Sequence, residues 1–355
     1  MTACVEATLL QARRLLDELG RPAVRTVYVG GGTPSLLPPD ALRRLGTGLL
    51  DLADGVAPEE WTVEANPGSV TPEWVDALAE LPVTRVSLGV QSFSNAARRR
   101  LGRRGGAFGG AFGGPFESTE PERALALLRA GHHWSSGIDL IAGIPGMSEE
   151  EQKADINAAV SAGVDHVSLY PLTVEDGTPL ARRVSSGELQ LPADAAVVRG
   201  VEAAAAQLAA AGLRRYEVSN YARPGRECRH NDAYWLLDAY IGVGPAAVST
   251  IPAADGTALR LETRSDFSMR REVVGRRSFL LEHFMMGLRR TAGLPAGRVA
   301  ERFGSAPSAF IPRTVNRWVA AGLLQAGEGT LCLEPAGMWL LDRLLAEIAR
   351  ELGAG

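Results

Sequence analysis

The residues of this 355-residue chain best suited to chemistry recur in one position, directly after a short apolar run. Gly30-Gly31-Gly32-Thr33-Pro34-Ser35 follows the run Val24 to Val29, and Glu64-Ala65-Asn66-Pro67-Gly68 closes a second. Gly89-Val90-Gln91-Ser92-Phe93 closes a third. Asp139 lies inside a fourth, ahead of Gly143-Ile144-Pro145-Gly146, and Thr173 and Glu175 follow a fifth. Glycine has no Cβ, so a triple-glycine loop can turn sharply and bring its backbone close to a ligand. A plain strand-to-helix turn would need only one glycine, and Asn-Pro-Gly and Pro-Gly are turn sequences in their own right. Polar groups at the C-terminal ends of successive parallel strands nevertheless converge on one mouth, where α/β proteins bind their ligands. Five such ends in order point to ligand-facing loops.

Strands and helices must alternate to place these ends together. Strand patterns occupy Arg25–Val29, Trp61–Glu64, Thr84–Gly89, Gly137–Ala142 and His166–Tyr170. Helical periodicity fills 39–51, 72–80, 122–130 and 149–162 between them, and an amphipathic helix over 4–19 opens the chain. This alternation predicts an α/β fold, a parallel sheet covered by helices and closed or partly closed as a barrel. Residues 104–120 interrupt it with a Gly-Gly-Ala-Phe repeat that reads as a flexible insertion. An Ala-rich helix follows over 194–212, and Tyr216–Tyr221 reads as a strand. From Phe279 the order is three helices (279–290, 295–303, 312–323), a strand (Thr330–Glu334) and a helix over 336–352, which suggests a small winged-helix-like domain suited to packing or partner docking. The expected organisation is a partial barrel over 1–185, a connecting segment over 186–277 and a C-terminal domain over 278–355.

Composition narrows the function classes. Hydrophobic residues make up 46% of the chain and charged residues 22%, enough for a sizeable core. A formal net charge of −4 gives no support for a nucleic-acid scaffold. No apolar run reaches membrane-spanning length, and the N-terminus carries no secretory pattern. Cys4, Cys228 and Cys332 are far apart in sequence, which is no disulfide framework, so a cytoplasmic, reducing location is expected.

Taken in order, the motifs resemble the radical SAM superfamily, and within it the oxygen-independent coproporphyrinogen III oxidase-like group and its heme chaperone (HemW) branch. The resemblance rests on Gly-Gly-Gly-Thr-Pro-Ser-Leu-Leu (30–37), Glu-Ala-Asn-Pro-Gly (64–68), Arg-Val-Ser-Leu-Gly-Val-Gln-Ser-Phe (85–93) and Leu-Gly-Arg (101–103). It continues through Asp-Leu-Ile-Ala-Gly-Ile-Pro-Gly (139–146), Ser-Leu-Tyr-Pro-Leu-Thr-Val-Glu (168–175), Tyr-Glu-Val-Ser-Asn-Tyr-Ala (216–222) and Cys-Arg-His-Asn-Asp-Ala-Tyr-Trp (228–235). The implied fold is an incomplete (β/α)6-type barrel with a C-terminal helical, winged-helix-like domain. The implied S-adenosylmethionine contacts are Gly31, Gly32, Thr33, Glu64, Gln91, Arg103 and Asp139. Glycine N–H groups and the Arg guanidinium can meet a carboxylate, and the acids can meet an ammonium or ribose hydroxyls.

The family's 4Fe–4S cluster is held by a Cys-x-x-x-Cys-x-x-Cys loop after the first strand, and this sequence contains no such loop. The expectation is therefore a first strand and cluster loop missing through a start placed too late or a degenerate copy, with no cluster and no radical catalysis by the chain as given. His230, beside Tyr234 and Trp235, is the candidate axial heme ligand, against the plainer role of ordering its loop. The resemblance implies heme binding and delivery to hemoproteins, with S-adenosylmethionine and a 4Fe–4S cluster in the intact family. The rivals are oxygen-independent coproporphyrinogen III oxidase and a cluster-less, inactive remnant.

Overall fold

A computed structural model of the chain describes residues 1–102, 120–130, 132–327 and 329–353. Arg103 and the Gly-Phe repeat, apart from Glu120, lie outside the described residues. The described chain forms two compact units, the first comprising Val24–Arg215 and Ser219–Glu227 with Met1, the second Thr2–Ala23, Tyr216–Val218 and Cys228–Gly355.

The first unit is built on a seven-stranded sheet. Strands β1 (Thr26–Val29), β2 (Glu60–Ala65), β3 (Arg85–Gln91), β4 (Ser135–Ala142) and β5 (His166–Pro171) run parallel in sequence order. The sheet ends with two short antiparallel strands, β7 (Asn220–Ala222) beside β5 and β6 (Arg214–Arg215) at the edge. Helices α2 (Pro39–Leu52), α3 (Pro72–Ala79), α4 (Asn95–Arg100), α5 (Glu120–Arg129) and α6 (Glu149–Ser161) connect the parallel strands. After β5 come α7 (Pro179–Ser185) and α8 (Asp194–Ala210).

Local chemistry sets the helix starts. The Thr71 hydroxyl accepts from the Trp74 N–H to cap α3, Ser94 caps α4, and Ser148 with Glu151 forms a reciprocal capping box on α6. Val63, Val86, Leu88, Ile138, Leu140, Val167 and Leu169 are buried at alternate strand positions. The intervening positions carry Thr62, Glu64, Arg85, Ser87, Asp139, His166 and Ser168. A side chain points to the opposite face at every step of a strand, so one face of the sheet is apolar and the other polar.

In the second unit, α1 (Thr2–Glu18) accompanies α9 (Arg229–Trp235) and an antiparallel sheet of β8 (Val248–Pro252), β9 (Ala258–Thr263) and β10 (Met269–Val274). The Gln11 amide donates to Thr263 Oγ1 at 2.7 Å and accepts the Gly244 N–H at 2.8 Å, fixing α1 in this unit. The C-terminal part contains α10 (Arg276–Gly287), β11 (Leu294–Pro295), α11 (Ala296–Phe303), α12 (Pro307–Phe310), α13 (Pro312–Ala320), β12 (Leu324–Ala326), β13 (Thr330–Leu333), α14 (Pro335–Met338) and α15 (Leu341–Leu352). Its core is built on Phe279, Phe284, Ile311, Trp318 and Leu344.

Two expectations need correction. The strand expected over Tyr216–Tyr221 is broken: strand pairing covers Arg214–Arg215 and Asn220–Ala222, while Glu217 bridges Arg290 instead. The final helix is two helices, divided where Leu340 leaves the helical conformation. Strands β8 to β10 lie within the connecting segment over 186–277, where they were not foreseen; their antiparallel pairing is a tertiary effect that local composition does not reveal.

One buried histidine in this core has a determined tautomer. Arg302 Nη1 donates to His283 Nε2 at 2.8 Å, so the ring proton sits on Nδ1, which donates to the Phe279 carbonyl at 2.7 Å. Burial lowers the His283 pKa to about 4, with Arg302 and Arg298 adding to the effect against the Phe279 hydrogen bond. The unfolded chain takes up a proton near pH 6.5 that the folded state refuses, so stability is full above that pH and falls as pH drops toward 4. Between pH 7 and pH 5 the wild type should lose on the order of 2 kcal/mol more stability than His283→Gln. Denaturant midpoints measured across that range check this; parallel pH profiles would refute it.

Candidate functional site

Four parallel strands deliver their C-terminal ends to one cavity of about 180 Å³, lined by Gly32, Thr33, Pro34, Glu64, Ala65, Asn66, Gly89, Gln91 and Asp139. Five of the residues singled out in the sequence, Gly32, Thr33, Glu64, Gln91 and Asp139, meet here. Gly31 stands behind them, with its N–H on Glu64 Oε2 at 3.2 Å. Arg103 lies outside the described residues, and His230 belongs to the second unit.

Glu64 is held from two sides. Tyr28 Oη donates to Glu64 Oε1 at 2.6 Å, while the Gly31 N–H engages Oε2. This close approach explains the glycines. A Cβ at Gly30 would sit 2.7 Å from the Tyr28 ring and 2.8 Å from the Glu64 carboxyl, and Gly31 has φ +94°. The neighbouring turn is similarly tied. The Asn66 N–H donates to Ser35 Oγ at 2.9 Å, the Ser35 and Ser69 hydroxyls share a hydrogen bond at 2.5 Å, and the Asn66 side chain accepts the Gly68 N–H at 3.0 Å.

On the β3 side, pairing with β4 shifts register between Leu88 and Gln91, a bulge in the ladder. Gln91 has φ +68°, and its amide lies 3.1 Å from the position a Cβ on Gly89 would take. On the β4 side, desolvation raises the Asp139 pKa to about 6, with the Glu64 charge adding to the rise. Hydrogen bonds from Ser168 and Ser87 and the positive charge of Arg85 oppose it. The pocket therefore carries two carboxylates of different character. Glu64 is tethered to its own wall, whereas Asp139 is half-buried in the cavity lining and has its pKa raised to about 6.

Asn66 and Gly89 stand in strand-end motifs noted in the sequence, whereas Tyr28, Ser87 and Ser168 were given no role there. The signal available for these three was alternation. Tyr28 stands two residues before Gly30, and Ser87 and Ser168 stand two residues after Arg85 and His166 on otherwise apolar strands.

In the second unit, His230 and Tyr234 share one side of α9, with ring centroids 5.3 Å apart, and Tyr234 stacks on Tyr240 at 4.1 Å. Trp235 instead lies under Arg289, whose guanidinium is 6.0 Å from the indole centroid, and the buried Trp235 N–H has no acceptor among the described residues. Asp232 pairs with Arg290 at 2.6 Å. The cysteines lie on α1, directly ahead of α9, and in β13; no His, Cys, Asp or Glu group among the described residues could hold a metal ion. No helix among the described residues is long and apolar enough to cross a membrane.

The radical SAM superfamily profile matches residues 3–159, and the HemN C-terminal domain profile matches 276–340. The fold resembles the solved coproporphyrinogen III oxidase HemN from Escherichia coli, a radical SAM enzyme, with a TM-score of 0.75 over 98% of this chain and 83% of that one at 17% identity. Among curated relatives, the heme chaperone HemW of Mycobacterium tuberculosis is 44% identical over 237 residues, 65% of this chain and 56% of the relative. HemW of Lactococcus lactis is 34% identical over 286 residues, 79% and 73% respectively, and HemW of Bacillus subtilis is 28% identical over 351 residues, 95% and 88%. The chain belongs to the HemW family of the radical SAM superfamily. It spans little more than half, 56%, of the length of the M. tuberculosis relative.

Two outcomes are expected at the pocket. Removing the Tyr28 hydroxyl with Tyr28→Phe should release one side of Glu64 and cost about 1–2 kcal/mol, as the loss of a charge-assisted hydrogen bond does; a chemical-denaturation midpoint equal to wild type would contradict this. For Asp139, the folded state holds its proton more tightly than the unfolded chain, so stability is greatest at low pH and falls as pH rises from about 4 through about 6. Asp139→Asn should abolish that fall, on the order of 2 kcal/mol between pH 4 and pH 7. A wild type and variant with the same pH dependence would count against the raised pKa of this carboxylate.

Proposed function

We propose that the chain is a heme chaperone that binds heme and transfers it to hemoproteins in the cytoplasm, with S-adenosylmethionine bound in the cavity at the ends of β1 to β4. The observation that supports this most is the meeting of the glycine loop, Glu64, Gln91 and Asp139 in one pocket of a HemW-family fold. The donor set fits the nucleoside. Carboxylates at Glu64 and Asp139 suit an ammonium, a sulfonium and ribose hydroxyls. The Gln91 amide offers both donor and acceptor, and the backbone of Gly31, Gly32 and Thr33 can face the methionyl part. S-adenosylmethionine supplies a sulfonium-activated carbon when bound.

The three cysteines do not fit the trithiolate site of a 4Fe–4S cluster, since they are not grouped among the described residues. No radical step is therefore derived through this chain. The coproporphyrinogen III oxidase reading draws on the fold likeness to HemN and the HemN C-terminal domain match, and no feature of the pocket favours it over the chaperone reading.

For heme, His230 with Tyr234 offers an imidazole beside an aromatic wall, although Tyr240 already covers part of Tyr234. Trp235 faces Arg289 rather than His230.

Calorimetry with S-adenosylmethionine tests the pocket. Saturable binding is expected to weaken about tenfold in Glu64→Ala, as loss of a charge-assisted contact predicts, and wild-type affinity should rise with pH as Asp139 ionises around pH 6. Unchanged affinity in Glu64→Ala would remove that residue as a contact. Hemin titration of wild type and His230→Ala, each confirmed folded by circular dichroism, tests the ligand: a shifted Soret band and weaker binding in the variant are expected. Identical spectra and affinities would exclude His230, and no saturable binding by either protein would refute the chaperone reading for this chain.

A further inference from the structure

Gln91 adopts a conformation that its own sequence does not favour. The Ser92 N–H donates to the Val90 carbonyl at 2.8 Å across Gln91, whose φ is +68°. This is a γ-turn with a left-handed central residue, a strained form for any side chain other than glycine. Such a residue persists only where its surroundings over-determine it. The surroundings here are three buried side chains from different elements. Asp155 on α6 accepts the Phe93 N–H at 2.8 Å and the Ser92 hydroxyl. Arg98 on α4 donates to the Ser92 carbonyl at 2.7 Å and also bonds Asn95. Ser92, fully buried, accepts the Ser94 N–H at 3.0 Å, and Ser94 in turn caps α4.

We propose that Asp155 is a positioning residue for Gln91: by fixing Ser92 and Phe93, it holds the strained turn that aims the Gln91 amide into the cavity. Asp155 is not among the cavity-lining residues, and it meets the loop at Ser92, Phe93 and Ser94. A carboxylate suits this role because it accepts several backbone and hydroxyl donors at once, and the Arg98 charge compensates its own. Burial raises the pKa of Asp155 while the Ser92, Phe93 and Ser94 donors and Arg98 pull it down, so the group is held by the loop it holds. Without this anchor the turn relaxes to negative φ, and the Gln91 side chain leaves its place over Gly89.

The consequence for ligand affinity rests on S-adenosylmethionine being the cavity's ligand; the consequence for the loop does not. Two measurements on the full chain separate them. Hydrogen exchange and side-chain amide NMR on Asp155→Ala should show the Phe93 and Ser94 amides exchanging at least tenfold faster and the Gln91 side-chain resonances shifted, while amides of β2 and β4 keep wild-type protection. Calorimetry with S-adenosylmethionine should show Asp155→Ala weakening binding about tenfold, matching Gln91→Ala, and the double variant binding no more weakly than Gln91→Ala alone. Should Asp155→Ala fail to fold, Asp155→Asn decides. It keeps one acceptor for Phe93 but loses the charge facing Arg98, so smaller changes of the same kind, about threefold, are expected.

Unchanged Phe93 exchange and Gln91 resonances in a folded variant would overturn the proposal. So would a double variant weakened by the product of both single effects. A loop response without saturable S-adenosylmethionine binding in the wild type would uphold the positioning role and refute the assignment of the cavity.

Discussion

The first unit depends on one constraint: side chains on a strand alternate faces, and in this sheet the alternation sorts apolar from polar along every parallel strand. Val86, Leu88, Ile138, Leu140, Val167 and Leu169 occupy one set of positions. Arg85, Ser87, Asp139, His166 and Ser168 occupy the other, and Arg85, Ser87, His166 and Ser168 are almost fully buried. A buried polar face is expensive unless its members satisfy one another. Asp139 lies among Ser87, Ser168 and the charge of Arg85, and Arg85 also donates to the Arg226 carbonyl at 3.1 Å. Burial with the neighbouring Arg85 charge pushes the His166 pKa well down, keeping that ring neutral. A one-residue slip of register would turn these groups into the helices, so the polar face specifies the sheet as strongly as the apolar one does.

The same alternation explains what the sequence disclosed. Strands β1 to β5 and the helices between them were legible because short apolar segments ending in glycine or proline are strong local signals. The polar strand ends were legible for the same reason, since a loop that must approach a ligand carries residues a plain turn does not need. What stayed hidden depends on distance in space. The antiparallel strands of the second unit earn their order from one another. The Tyr28 contact with Glu64 joins residues 36 apart, and the Asp155 contact with Phe93 joins residues 62 apart. Nothing in a local window marks Asp155 as different from any other acid on an amphipathic helix. The resemblance to a family named the pocket's residues, but it did not say that Glu64 is tied to its own loop.

His230 illustrates the limit of a motif. Its neighbours in sequence, Tyr234 and Trp235, suggest a single aromatic wall, yet successive helix positions point about 100° apart. The helix gives Tyr234 to His230 and Tyr240, and gives Trp235 to Arg289. Spacing of four residues brought side chains together; adjacency in the sequence did not.

The tether on Glu64 changes what kind of event binding at this pocket must be. A ligand that engages the carboxylate meets an acceptor already in use. It either takes a lone pair that these donors leave open or displaces the Gly31 N–H, the Tyr28 hydroxyl, or both. In the second case association is an exchange of partners, and its free energy is the difference between two similar hydrogen-bonded states. Where the newcomer competes for a bonded oxygen, the site adds discrimination to the affinity of the carboxylate, because only a donor better placed than the protein's own wins the exchange. A Gly31 N–H released in such an exchange is free to meet the newcomer. The loop that holds the acid thus becomes part of the surface that reads the ligand.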